Sequence, residues 1–250
     1  MRLPIMKQYN LEEFQFSQSY LFFWDKIERC NFYLNTVVET ARRGEPVDGR
    51  LVSFLMQSPN GDGGQWDMLV NLIVNHGLMP KNCLVWIIIR IRIIYNNQPV
   101  ELLMKLAAES IKNNEAVWFG CEVSKRFANK LGLNDLEIHN FKAVFDSDVS
   151  LPMSKAERMM YGESSMTHAM VISAVSIDKE TEEPTKWRVE NSWGEEQNHK
   201  GYILMTSPWF KEYVFEVVVD KKYVPASVLD VFNQEPTILP AWDPMGTLAQ

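Results

Sequence analysis

Cysteine is scarce in this 250-residue sequence: Cys30, Cys83 and Cys121 stand too far apart for a disulfide framework, and no Cys-x-x-Cys spacing offers a zinc site. Thiols used this sparingly fit a reducing compartment. Positive charge is outweighed, with 25 basic against 32 acidic residues, and a net charge of −7 repels phosphate backbones. Nucleic acid is therefore excluded as a default partner. The opening, MRLPIMKQYNLEEF, has no apolar core of signal-peptide length. No uncharged apolar run reaches the roughly 20 residues that a bilayer crossing takes. The expected location is cytoplasmic, with no membrane partner, and neither an internal repeat nor a low-complexity stretch is present.

The most apolar run, LVWIIIRIRII from Leu84 to Ile94, carries Arg90 and Arg92 inside it. As a strand it would place the two arginines on one face and Ile89, Ile91 and Ile93 on the other. It reads as a buried or partly buried strand, with a poorly ordered, aggregation-prone junction as the alternative.

What is there is apolar content of 46%, enough to bury a sizeable core in one large domain or two packed halves. The first third is helical by period: FSQSYLFFWDKIERCNFYLNTVVETARRGEP stops at Gly44 and Pro46, and QWDMLVNLIVNHG, after the polar loop QSPNGDGG, stops at Gly77 and Pro80. A third helix, NNQPVELLMKLAAESIKNNEA, tolerates Pro99 in its first turn. From Ala116 the period becomes two, and strands are predicted over 116–123, 168–177, 186–193, 200–207 and 214–220. Helices first and strands later predict an α+β protein with an antiparallel sheet. The boundaries are a helical lobe at 1–82, an apolar junction at 83–94, a β-rich lobe at 95–240 and a tail at 241–250.

His168 opens one predicted strand and Asn191 closes the next, 23 positions on, so a hairpin through DKETEEPT brings its two open ends together. An Asn side-chain oxygen beside an imidazole leaves the other ring nitrogen free for a nucleophile. Spacing alone also allows a structural histidine, hydrogen-bonded in a half-buried sheet. Cys30 in a helix, Cys121 in a strand and Cys83 at the junction lack the helix N-terminus or neighbouring cation that activates a thiolate, and read as small buried hydrophobes. His76 and His139 have no partner pattern and read as surface or loop residues, and His199, near the strand of Gly201 and Tyr202, reads as exposed.

The stretch ENSWG, with THAM before it and HKGYILM after it, resembles the signature of papain-like cysteine peptidases. FSQSYLFFWDKIERC and NGDGGQWDMLVNLIVNHGLMP resemble further parts of that family, so the likeness covers nearly the whole chain apart from about Cys83 to Ile94. It implies a papain-like two-lobed fold, with His168 as general base, Asn191 as its orienter and Trp193 as the shield over their hydrogen bond. Gly63 and Gly64 would lend main-chain hydrogen bonds to an extended peptide or amide substrate. No cofactor or metal is implied. The likeness within the family is to a cytosolic aminopeptidase branch that assembles as homohexamers, whose C-terminal tail lies in the cleft and imposes exopeptidase behaviour. Two departures accompany it. The family's nucleophilic cysteine and oxyanion-hole glutamine would lie upstream of Met1, leaving the fold N-terminally incomplete and the chain silent by itself. The family's long helical insertion, which serves assembly and nucleic-acid binding, is replaced by the apolar junction.

Overall fold

The structure is a computed structural model that describes residues 2–81, 95–147, 153–240 and 242–245. The chain divides into two compact units, one built on Met1–Ile94 and the other on Tyr95–Leu248. The predicted strand over 84–94 lies outside the described residues, as does most of the tail. Within the tail, Asp243 turns the chain by accepting from the Met245 N–H at 2.9 Å.

The first unit is helical. After α1 (Arg2–Gln8), Ser17 caps α2 (Gln18–Arg42): its backbone is extended and its Oγ accepts from the Tyr20 N–H at 3.3 Å. The helix ends where Gly44 takes a φ of +70°, a turn that disfavours a side chain. α3 (Arg50–Gln57) falls where no element is predicted, and at eight residues it is too short for its period to stand out. α4 (Trp66–His76) stops at Gly77, as the sequence predicts. It packs on α2 through Trp24, whose ring stacks on His76 at 3.9 Å and 9°, and through Tyr20, whose hydroxyl donates to the His76 carbonyl at 2.5 Å.

The second unit is a sheet clasped by helices. α5 (Val100–Lys112) starts directly after Pro99 and buries Met104, Ala107 and Ala108. The strands are β1 (Val117–Cys121), β2 (Phe127–Ala128), β3 (Leu133–Asn134), β4 (His168–Ile177), β5 (Pro184–Glu190), β6 (Tyr202–Thr206) and β7 (Val214–Val218). Between them lie α6 (Phe141–Phe145), α7 (Lys155–Met160) and α8 (Ser207–Tyr213), and α9 (Ala226–Leu229) follows β7. The sheet order is β2-β3-β6-β5-β4-β1-β7. The sequence predicts an antiparallel sheet; among the described residues one pair, β3 with β6, is parallel, because the chain crosses from β3 to the β4–β6 meander by way of α6 and α7. Val117, Phe119, Ile172, Trp187, Val189, Trp209, Phe210 and Val214 are wholly buried, and the two indole N–H groups donate to Ser207 Oγ at 3.0 Å and the Lys125 carbonyl at 2.7 Å.

The closed end of the β4–β5 hairpin positions the open end. Asp178 accepts from the N–H groups of Glu180 and Thr181 at 2.9 and 2.8 Å and from the Thr181 hydroxyl at 3.1 Å; those donors hold its carboxyl below the usual range. From this turn the pairing passes two irregularities, between Ser176 and Ile177 and between Ile172 and Ala174, and reaches the open end with Ile172 opposite Val189 and Val171 opposite Glu190.

Candidate active site

One step beyond that last pair, the register sets Asn191 opposite Met170, and His168 lies two residues further along β4. Such diagonal neighbours on one face are within reach of long side chains. The structure brings them together: His168 Nε2 lies 3.0 Å from Asn191 Oδ1. Asn191 is buried, and its backbone N–H donates to the Gly201 carbonyl at 2.9 Å. Gly201 has a φ of +83°, and a Cβ there would meet the Gly194 carbonyl at 3.3 Å, so the anchor needs a glycine.

The local hydrogen bonds define the protonation of the imidazole. Asn191 Oδ1 also accepts from the Ser192 backbone N–H at 2.8 Å. A main-chain N–H can only donate, so the amide oxygen must face it, and the ring nitrogen sharing that oxygen must carry a proton. His168 is therefore the Nε2–H tautomer when neutral, with the lone pair on Nδ1. Trp193 stacks on the imidazole, ring centroids 5.3 Å apart at 28°, and is itself flanked by Phe127 at 5.9 Å. The indole covers one side of the pair while remaining 38% exposed.

No described cysteine is poised as a partner for this base. Cys121 sits opposite His168 in the sheet register, but it is fully buried, and burial with the neighbouring Glu122 carboxylate pushes its thiol well above the ordinary range. Cys30 differs from its expected burial: it is exposed in the middle of α2, where its Sγ accepts from Asn60 Nδ2 at 3.6 Å. It departs from expectation because α2 turns its apolar side to solvent. Cys83 lies outside the described residues.

Gly63 and Gly64 belong to the first unit, in a loop that α2 holds by two cations. Lys26 Nζ donates to the carbonyls of Asn60 and Gly61 at 3.2 and 3.1 Å and to Asp62 at 2.5 Å, while the Arg29 guanidinium takes the Gly63 carbonyl. His76 is not the partnerless residue the sequence suggested: besides Trp24, it meets Glu28 Oε1 at 2.7 Å. His139 is exposed beside Phe141, and His199 is exposed and contacts the Leu131 carbonyl at 3.2 Å. Among the described residues no cluster of three or more His, Cys, Asp or Glu could hold a metal ion, and no helix is long and apolar enough to cross a membrane. Sequence reasoning missed the Ser192 N–H, the Gly201 carbonyl and Phe127. The first two act through the main chain, which leaves no side-chain signal.

The model of the Peptidase C1-like family matches residues 1–86 and 87–246. Bleomycin hydrolase of Gallus gallus is 42% identical across the whole chain, which spans 82% of that protein, and its Homo sapiens counterpart is 40% identical with the same spans. Cysteine proteinase 1, mitochondrial, of Saccharomyces cerevisiae is 28% identical over the whole chain and 77% of its own length. The crystal structure of pepw from Lactobacillus rhamnosis superposes with a TM-score of 0.85 at 28% identity, covering 98% of this chain and 82% of that one. The Gallus gallus alignment runs over 376 residues against the 250 here, and the family match breaks between residues 86 and 87, so the relatives hold an internal segment that this chain is without.

Proposed function

The chain belongs to the Peptidase C1-like family of cysteine-type peptidases, and from that premise we propose that its 250 residues carry the acid–base half of a bleomycin hydrolase-type aminopeptidase. The observation that carries this is the His168–Asn191 pair with the ring lone pair left on Nδ1. In the proposed reaction, Nδ1 takes the proton of a cysteine thiol, and the thiolate attacks the carbonyl carbon of the N-terminal peptide bond or of the amide in bleomycin. The imidazolium then returns that proton to the leaving amine, and water releases the acyl group. Asn191 holds the ring in line for both transfers, and Trp193 keeps water from their hydrogen bond. Gly63 and Gly64 are offered to the substrate backbone, Gly63 through its N–H, since Arg29 already takes its carbonyl. The C-terminal residues would block the far subsites and leave room for a free N-terminus.

The chain is proposed to be silent by itself. Supporting this are the burial of Cys121 and the place of Cys30 in the middle of α2, away from a helix N-terminus. A second reading follows from the same observation: a non-catalytic form that binds family subunits. A cytoplasmic site of action rests on sparing cysteine usage, and the mitochondrial name of the yeast relative is the counterweight. The experiment is release of a fluorophore from an aminoacyl substrate by the purified chain, beside His168→Ala and a thiol alkylator. No turnover is expected. Turnover abolished in both controls would mean that Cys30, Cys83 or Cys121 is the nucleophile and would overturn the silent-chain reading.

A further inference from the structure

Glu122 is a carboxylate where an apolar residue would be ordinary. It follows β1 directly, between the buried Cys121 and Val123, and is 5% exposed. A buried carboxylate without a cation is costly unless its oxygens are filled by donors. Among the described residues the hydrogen-bond partners of Glu122 are neutral: Oε1 accepts from Ser124 Oγ at 2.6 Å and Thr167 Oγ1 at 3.2 Å, and Oε2 accepts from the Ser165 N–H at 3.3 Å. Two of these three donors lie on the segment that runs into His168.

The two sides of this cluster are held differently. On the Glu122 side, the Glu122 N–H donates to the Tyr213 carbonyl at 3.0 Å, and the Lys125 carbonyl accepts from the Trp209 indole at 2.7 Å. The carboxylate is thus presented from a stretch tied to α8 at two points. On the other side, the chain leaves α7 through Gly162, at a φ of +73°, and is plugged by Met166, which is buried against Phe215. Met166 sets the depth of the segment. Its direction into β4 is set by the bond from the Thr167 N–H to the Cys121 carbonyl at 2.9 Å and by the grip of Glu122 on Ser165 and Thr167.

We propose that Glu122 is a positioning residue for His168, fixing the approach of residues 165–167 so that the imidazole meets Asn191. This rests on the reading of His168 as the base. A carboxylate suits the place because it accepts all three donors and presents none of its own. Glutamine can still serve: its oxygen can face the Ser165 N–H, which cannot turn, and its amide can face the Ser124 and Thr167 hydroxyls, which can rotate to accept. Alanine removes all three contacts.

The test reads the imidazole directly. With four histidines in the sequence, the ¹⁵N-imidazole spectrum of the 250-residue chain is simple, and His168→Ala assigns the signal of interest. Glu122→Gln is expected to keep a single slowly exchanging Nε2 proton on His168. Glu122→Ala is expected to speed its exchange with solvent by about tenfold or more, the scale of a lost hydrogen bond to a charged group, with both ring tautomers populated. Unchanged Trp187 and Val189 amides would show that the sheet is intact. Should Glu122→Ala fail to fold, Thr167→Val removes the hydroxyl contact to Glu122, with the longer one to the Cys121 carbonyl, at nearly constant shape, and the same change, smaller in size, is expected. His168 signals identical to the parent in whichever variant folds would overturn the role of Glu122. A parent chain without the Nε2–H tautomer would instead refute the base reading itself, so the two failures are distinct.

Discussion

In the second unit Phe119, Trp187, Trp209 and Phe210 are wholly buried, whereas in the first Phe22, Phe23 and Phe32 stand 59, 56 and 71% exposed. The contrast is clearest on α2. Its packed side mixes Tyr20 and Trp24 with ion pairs from Asp25 to Arg29, Lys26 to Asp62 and Glu28 to His76. Its apolar residues Phe23, Ile27, Leu34 and Val37, at the spacing of one helical stripe, face solvent instead. The described hydrophobic core of the first unit comes down to Val70, Leu72, Ile73 and Leu78. The sheet that carries the His168–Asn191 pair is backed by a filled core, while in the first unit the Lys26–Asp62 pair, whose carboxylate is exposed, adds little. The difference puts the candidate site on the unit with the larger described core and leaves the α2 stripe as an apolar surface open to association or aggregation.

The largest expected effect breaks the comparison if it fails. Trp187→Ala should cost about 3–5 kcal/mol in chemical denaturation followed by circular dichroism, while Leu34→Ala should stay within about 0.5 kcal/mol. Equal costs would mean that the α2 stripe is covered after all.

The next prediction concerns pH in the second unit alone. Lys155 Nζ donates to the Lys211 carbonyl at 3.0 Å and to the Val214 carbonyl, and burial lowers its pKa from 10.5 to about 8, with Glu212 and Glu101 opposing and Arg158 adding to the fall. Between about 8 and 10.5 the folded chain therefore binds fewer protons than the unfolded one, and this group makes stability rise with pH. Cys121 acts in the opposite sense: its raised thiol keeps a proton that the unfolded chain loses above the ordinary 9.0, so it makes stability fall there. Subtracting Lys155→Met from the parent cancels the cysteine, and the difference should climb by about 3 kcal/mol from pH 7 to pH 10.5. A flat difference would place Lys155 in solvent.

Smaller still, Ser17→Ala should cost about 1 kcal/mol, read as faster hydrogen exchange in the first turn of α2 with the sheet amides unaffected. Smallest of all, Phe23→Gln combined with Leu34→Gln should change stability by less than about 0.5 kcal/mol per site and raise the concentration at which the chain precipitates. A loss of solubility would contradict the exposed stripe.

Periodicity explains what was legible. β4 runs from His168 to Ile177 as the alternation predicts, and α2, α4 and α5 show the helical repeat over three turns or more. β2 and β3, at two residues each, are too short to carry a period, and α8 hides in SPWFKEY between two strands. Cys30 misled because a helical pattern tells which residues share a face but not whether that face is covered. His168 and Asn191 were legible as neighbours because the hairpin length fixes where its ends meet. The acceptors and donors that orient them were not, since the Ser192 N–H and the Gly201 carbonyl exist in every sequence and acquire direction only from the fold.

The central claim is that Asn191 leaves the His168 lone pair on Nδ1, ready for a thiol. The direct measurement is the pair of ring ¹⁵N shifts of His168 in the neutral form, assigned through His168→Ala and compared with Asn191→Ala. The account predicts a protonated Nε2 and a bare Nδ1 in the parent, with mixed tautomers once Asn191 is replaced. A parent histidine protonated on Nδ1, or one indifferent to Asn191→Ala, would contradict it.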